Sequence, residues 1–95
     1  MSVDREQLLD AMRAAHDFPG FYPITLICRN DPVVDARLES AIIFHQDGAP
    51  YTCEKHPSSK DAYMSWRIAV YVVDAEQALE RKDALRAVEG VMVML

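Results

Sequence analysis

The chain has 95 residues, which is enough for one domain and too few for two separate hydrophobic cores. Half of the residues (51%) are apolar and 26% are charged, which excludes a disordered or fibrous protein. The net charge of −5 argues against nucleic acid and anionic membranes as partners, because both attract clustered Lys and Arg.

Cysteine and histidine usage indicates neither a metal site nor a cofactor. Cys28 and Cys53 are far apart in sequence and have no metal-ligand spacing. His16, His45 and His56 have no acidic or cysteine companions at a helical offset. Two cysteines also fit a reducing compartment, and no apolar stretch resembles a signal peptide or a membrane span. We therefore expect a soluble cytoplasmic protein that works without a cofactor.

The first half of the chain predicts a helix, a strand and a second helix. Residues 3–15 carry an apolar stripe at helical spacing, with Ser2 or Asp4 as the N-terminal cap. Residues 24–29 are mostly apolar and β-branched, which is typical of a strand. Asp31 can cap a second helix that ends at an Asp-Gly turn signal. The buried stripe of this helix is expected to comprise Val34, Leu38, Ala41, Ile42 and His45.

The second half predicts two adjacent strands, a helix and a short final strand. Residues 51–56 alternate in character, and residues 63–73 place an apolar side chain at every even-numbered position. Asp74 begins a variant capping box at the start of the next helix, and Gly90 suits the left-handed turn beyond its end. Residues 91–95 are apolar throughout and predict a strand at the edge of a sheet.

The order of these elements predicts an α+β fold. A helix precedes the succession β-α-β-β-α-β, and two right-handed crossovers joined by a hairpin form a four-stranded antiparallel sheet. This is the ferredoxin-like sandwich, with two helices on one face and the first and third strands in the centre of the sheet. We assign residues 1–17 to the N-terminal helix and residues 18–95 to a single domain. The core is expected to comprise Leu26, Leu38, Ile42, Trp66, Ile68, Val70, Leu79 and Leu85.

A short motif at the start of the alternating strand resembles the YbeD-like family of small bacterial proteins. The motif is Pro-Ser-Ser-Lys-Asp-Ala-Tyr at residues 57–63. Phe18-Pro19 before the first strand and the apolar ending after Gly90 agree with this resemblance, which covers residues 18–95.

The resemblance implies a fold similar to ACT-type regulatory domains, which bind small metabolites at domain interfaces. It also implies a regulatory role linked to lipoate, because members of the family often lie near lipoate-attachment genes. The chain departs from the family pattern in the added helix of residues 1–17 and in Trp66 and Arg67 at the start of the third strand. These departures leave open whether a ligand is shared.

The loop between the second and third strands is the best candidate for a ligand site. Hydroxyls, an ammonium group and backbone N–H groups can together hold a carboxylate or a phosphate. The expected ligand-binding residues are His56, Ser58, Ser59 and Lys60. The alternative is a plain hairpin connection. A small acyl- or phosphoryl-transfer enzyme could use the same loop, but no spacing indicates a catalytic serine, so we assign no catalytic residue.

The outward face of the central strands is the candidate surface for a partner. Aromatic and arginine side chains are common anchors in protein interfaces, and here they are Arg29, Tyr63, Arg67 and Tyr71. RNA-binding sheets share this topology, but their glycine- and aromatic-rich signature is missing. Met92 and Met94 on the last strand need cover from the N-terminal helix or from a second copy of the chain.

These features together predict a small regulatory or interaction domain without catalytic activity. Its expected partner is a second copy of the chain, forming a homodimer, or another protein. A small anionic metabolite is the other ligand that the sequence suggests.

Overall fold

The computed structural model describes residues 4–95, which form three helices and four strands. The elements are α1 (Arg5–Ala15), β1 (Gly20–Arg29), α2 (Pro32–Gln46), β2 (Tyr51–Pro57), β3 (Tyr63–Val72), α3 (Ala75–Arg86) and β4 (Val91–Met94). Among the described residues, no helix combines the length and the apolar character that a membrane crossing requires.

Polar side chains define where the helices begin, as the sequence predicts. The Asp31 carboxylate accepts the Val33 N–H at 2.8 Å, and the Asp74 carboxylate accepts the Gln77 N–H at the same distance. Asp4 caps α1, whereas Ser2 lies outside the described residues. Each cap supplies a hydrogen bond that the first turn of a helix cannot make internally.

The four strands form one antiparallel sheet in the order β2-β3-β1-β4. The first and third strands of the chain therefore lie in the centre, and the predicted ferredoxin-like α+β fold is confirmed. The predicted start of β1 at residue 24 is too late, because the strand already begins at Gly20. Pro23 lies within it, where β4 does not reach and β1 is open on that side. Such an edge position tolerates a residue that has no N–H to donate.

The predicted alternation in β3 places the core where it was expected. Even-numbered side chains of β1 and β3 point towards the helices, and Trp66 is completely buried among them. All eight predicted core residues are buried, namely Leu26, Leu38, Ile42, Trp66, Ile68, Val70, Leu79 and Leu85. One face of the sheet is therefore committed to the core.

Helix α1 belongs to the helix layer and does not shield β4. Its Leu9 and Met12 are buried in the core cluster together with Tyr22 of β1. Arg13 of α1 forms an ion pair with Glu76 of α3. Of the two alternatives for covering the last strand, α1 is thus the wrong one, because it packs against α3 and leaves Met92 exposed.

Edge strand β2 is fastened to α2 by Lys55. The Lys55 ammonium lies 2.9 Å from an Asp35 oxygen, 3.3 Å from a Glu39 oxygen and 4.4 Å from the centre of the Trp66 ring. Partial burial acts to lower the pKa of Lys55, but hydrogen bonds and attraction from the two carboxylates outweigh it, so that the pKa is raised. Through its two ion pairs and its contact with the Trp66 ring, Lys55 thus links β2 to α2 and helps to hold β2 beside β3.

Candidate functional site

The sheet face that points away from the helices, called the outer face below, is uncovered within residues 4–95. Directly opposed residues of β1 and β3 share this face, among them Arg29 with Tyr63 and Phe21 with Tyr71. The Phe21 ring is 52% exposed and meets the Tyr71 ring edge-on, with centroids 5.6 Å apart. The outer face therefore presents aromatic groups in a fixed geometry, a feature of surfaces that bind other surfaces.

A cavity of about 360 Å³, the hairpin hollow, lies on the outer face beside the β2–β3 loop. Its lining comprises Ile27, His56, Pro57, Ser58, Tyr63, Ser65 and Arg67. The structure thus brings two of the predicted ligand residues together with two of the predicted interface residues.

The remaining predicted residues lie elsewhere. Ser59 and Lys60 are exposed loop residues outside the lining of the hairpin hollow. Arg29 lies opposite the lining residue Tyr63 without lining the hollow itself, and Tyr71 lies near the other end of β3. Ser65 was not proposed as a ligand residue, although its odd-numbered position in β3 already places its hydroxyl on the same face as Arg67.

Ser58 closes the hairpin loop as well as lining the hollow. Its backbone N–H donates to the Tyr63 carbonyl at 2.9 Å, and its hydroxyl oxygen accepts the Tyr63 N–H at 3.2 Å. The Asn30 side-chain amide donates to the Asp61 carbonyl at 2.9 Å and ties the loop to the end of β1. The loop is therefore held in a defined shape, and the Ser58 hydroxyl keeps its hydrogen available for a ligand.

The charges on the outer face leave the arginines free for an external group. Arg67 and Arg29 form no ion pair within residues 4–95. Glu54 lies opposite Arg67 in the register, but its carboxylate approaches His56 instead, at 3.6 Å. In a chain of net charge −5, the charged residues of β1 and β3 on the outer face are both positive, Arg29 and Arg67.

The last strand does not present Met92 and Met94 on one face, contrary to the expectation that the two share a surface; their role as partner residues stays a prediction. An irregularity opposite Ile27 and Cys28 shifts the register, and Met94 packs partly buried against the core. Met92 is 55% exposed. A bulge inserts an extra residue and reverses the alternation beyond it. The exposed pair on β4 is Met92 and its neighbour Val93.

The described groups contain no activated nucleophile in the hairpin hollow. The Ser58 hydroxyl accepts a backbone N–H, and within residues 4–95 His56 makes no hydrogen bond to a serine. A serine nucleophile needs an adjacent base within hydrogen-bonding distance. The arrangement is suited to binding an anion through Arg67, His56 and two hydroxyls.

The chain matches a known family over most of its length. Residues 13–95 match the model of the family described as "Protein of unknown function (DUF493)". The chain belongs to this family. DUF493 is also the family that the YbeD-like motif indicates. Among curated proteins, the chain has no match.

Solved structures with the same fold come from several kinds of protein. The solution structure of protein HP0495 from H. pylori is 15% identical, covers 84% of this chain and 85% of that chain, and has a TM-score of 0.71. The ACT domain from GTP pyrophosphokinase of Chlorobium tepidum is 16% identical, with coverage of 84% and 97% and a TM-score of 0.60. The C-terminal domain of the MgtC protein from Mycobacterium tuberculosis is also 16% identical, with coverage of 84% and 88% and a TM-score of 0.60. At these identities, the similarity shows the fold.

Proposed function

We propose that this protein is a non-enzymatic regulatory module that associates face to face with a second copy of the chain through its outer face. The uncovered aromatic and arginine surface of β1 and β3 carries this proposal. Phe21 and Tyr63 are exposed there without any covering element in the described part of the chain. Burying such side chains in an interface stabilises the complex, and aromatic and arginine residues are the usual anchors.

The shape of the molecule supports association through this face. The molecule measures 38 × 36 × 20 Å, which is a slab of one sheet and one helix layer. Its accessible surface is 6002 Å², against about 5500 Å² for a compact monomer of this mass. The strands β1, β2, β3 and β4 comprise 10, 7, 10 and 4 residues. At about 3.3 Å per residue and about 4.8 Å between strands, the sheet projects roughly 500 Å², so a face-to-face pair has a smaller interface than the roughly 800 Å² per partner of a standard complex.

The charge pattern can complement itself across a two-fold axis. In a symmetric pair, each contact of one copy recurs with the roles exchanged. Arg67 on the central strand β3 lies directly opposite Glu54 on the neighbouring strand β2. Arg67 of one copy can therefore pair with Glu54 of the other, and this contact forms twice. A cytoplasmic location is part of the proposal, since both cysteines are unpaired thiols.

Sedimentation equilibrium over a wide range of protein concentration tests the proposal. We expect a concentration-dependent rise in mass that is lost in Phe21→Ser, because this variant removes an exposed aromatic group from the outer face. The matched control is Phe44→Ser, which removes an exposed phenyl ring from α2 on the opposite side. A monomer at every concentration, or equal weakening by both variants, contradicts the proposal.

Binding of a small anion in the hairpin hollow is the second candidate function. It is favoured by the convergence of Arg67, His56 and the hydroxyls of Ser58 and Ser65 on one cavity. An unpaired guanidinium binds carboxylate or phosphate groups through charge-assisted hydrogen bonds. Because Arg67 also faces the proposed interface, an anion there would alter the charge that the second copy meets.

Titration with inorganic phosphate, followed by backbone amide NMR shifts, tests this second candidate. We expect shifts around residues 56–67 that are lost in Arg67→Gln. The matched control is Arg29→Gln, which removes the same charge from the outer face but outside the lining of the hollow. Equal loss in both variants would show general charge attraction and reject the site. Absence of shifts in the unmodified protein would also reject it.

A further inference from the structure

A buried arginine on the helix side of the molecule is held in a fixed orientation. The Arg81 side chain is only 9% exposed, and its Nε donates to the Gln46 Oε1 at 2.7 Å. The Gln46 amide nitrogen in turn donates to the Pro50 carbonyl at 3.1 Å and the Tyr71 carbonyl at 3.0 Å. These bonds fix the orientation of the Gln46 amide and, through it, of the guanidinium. A guanidinium fixed in this way loses little entropy when it binds another group.

The guanidinium is only partly used by the protein. Arg81 Nη1 donates to Glu80 at 2.9 Å, and within residues 4–95 Nη2 makes no hydrogen bond. Among the described residues, the fully buried side-chain nitrogens and oxygens without a partner comprise only Trp66 Nε1, so Arg81 Nη2 is not completely buried. Arg81 therefore keeps unused N–H donors on a side chain that is largely, but not completely, buried.

Arg81 lines a cavity of about 800 Å³ between the end of α2 and the start of α3, called the helix-side hollow below. Gln77 also lines it, and its Oε1 accepts the Val73 N–H at 2.9 Å. The Gln77 amide nitrogen therefore keeps its N–H groups for another acceptor. Ile43 and Phe44 form an apolar side of the same cavity, and Phe44 is 77% exposed.

We propose that the helix-side hollow binds a monocarboxylate that carries an apolar group. The carboxylate accepts hydrogen bonds from Arg81 Nη2 and Gln77 Nε2, and the apolar group packs against Ile43 and Phe44. Arginine and planar carboxylates match in geometry, and the apolar contact removes two exposed hydrophobic side chains from water.

The acidic residues of the hollow restrict the ligand to a single negative charge. Asp47 and Glu80 line the cavity beside Arg81. A second negative charge on the ligand faces their repulsion without a second arginine to offset it. Glu80 is 62% exposed, so its ion pair with Arg81 is weak and yields readily to an incoming carboxylate.

Benzoate is the probe, and its binding is followed by the NMR signals of the Arg81 Nε–H and of the backbone amides. We expect shifts around residues 43–46 and 77–81 and not around the hairpin hollow. Glu80→Gln removes the competing carboxylate, and we expect about tenfold tighter binding. The matched control is Glu89→Gln, which makes the same charge change outside the lining of the hollow and leaves the affinity within about twofold.

Arg81→Lys keeps the charge but loses the planar pair of donors, and we expect it to abolish the benzoate shifts at the hollow. If this variant does not fold, judged by circular dichroism, the comparison of Glu80→Gln with Glu89→Gln decides alone. Equal affinities of these two variants, or shifts that do not involve Arg81, overturn the proposal. If sulfate binds as tightly as benzoate, the assignment of a monocarboxylate as the ligand is overturned. The site lies away from the outer face, so its failure leaves the self-association proposal intact.

Discussion

Replacement of Gly90 by alanine should strongly destabilise the protein. Gly90 connects the end of α3 to β4, its φ angle is +104°, and its carbonyl accepts the Arg29 N–H at 3.1 Å. A Cβ atom placed at Gly90 would lie closest to Val34 Cγ2, 2.8 Å from Val34 Cγ1 and 3.2 Å from Val34 Cβ. Val34 is buried in the core and has no space to withdraw.

The cost has two parts that separate variants can measure. A side chain at this φ costs about 1–3 kcal/mol, and the clash with Val34 adds about 1–3 kcal/mol of overpacking. Gly48→Ala isolates the first part, because Gly48 has a φ of +89° and no atom within 4 Å of an added Cβ. We expect Gly90→Ala to cost about 2–6 kcal/mol, a large share of the 5–15 kcal/mol of a typical domain.

A double-mutant cycle with Val34→Ala tests the clash directly. Val34→Ala alone leaves a cavity and costs about 2 kcal/mol, but it removes the methyl groups that an alanine at residue 90 meets. The double mutant should therefore lose about 1–2 kcal/mol less stability than the sum of the losses in the two single mutants. Urea unfolding followed by fluorescence of the single tryptophan measures each variant. Full additivity, or a loss in Gly90→Ala no larger than in Gly48→Ala, would refute the packing argument.

Three further predictions concern the core, a helix cap and the alkaline limit of stability. Trp66→Ala should cost about 3–5 kcal/mol in urea unfolding followed by circular dichroism, and Trp66→Phe much less, because a phenyl ring keeps most of the buried apolar contacts. An unchanged midpoint in Trp66→Ala would contradict the register of β3. Asp74→Ala should cost about 1 kcal/mol and Asp74→Asn much less, because an asparagine oxygen can still cap α3; equal losses would contradict the cap. Burial and the nearby Asp35 raise the pKa of the Cys28 thiol, with Trp66 and Lys55 partly opposing them. The Cys28 thiol therefore loses its proton at a lower pH in the unfolded chain than in the folded protein, so the free energy of unfolding falls as pH rises above about 8.5. In Cys28→Ala, the free energy of unfolding should fall less between pH 7 and alkaline pH.

Much of the fold could be predicted because its signals are local. The alternation in residues 63–73 identifies the core-facing side of β3, since side chains alternate across any strand. Asp31 and Asp74 mark helix starts because a carboxylate satisfies the N–H groups of the first turn wherever the helix lies. Gly90 marks the turn after α3 because its positive φ suits glycine.

The candidate site was predictable only in part. The outer face follows from alternation, so Tyr63 and Arg67 were placed correctly on it. Ser58 was recognised as a polar loop residue, but its bond to the Tyr63 N–H depends on how the hairpin closes. Ser59 and Lys60 share its chemistry and still lie outside the hairpin hollow. Which loop residues reach a cavity depends on backbone directions that composition does not encode.

The sequence by itself determined the order of the elements, their caps and the side of each central strand that enters the core. Tertiary structure alone decided that α1 packs on α3, that a bulge separates Met92 from Met94, and that Gln46 and Arg81 are buried together. Arg81 even has helical spacing to Ala78 and Leu85, yet an arginine is rarely buried without a partner, and Gln46 lies on another helix. Periodicity and capping depend on neighbours along the chain, whereas these features depend on contacts between segments far apart in sequence.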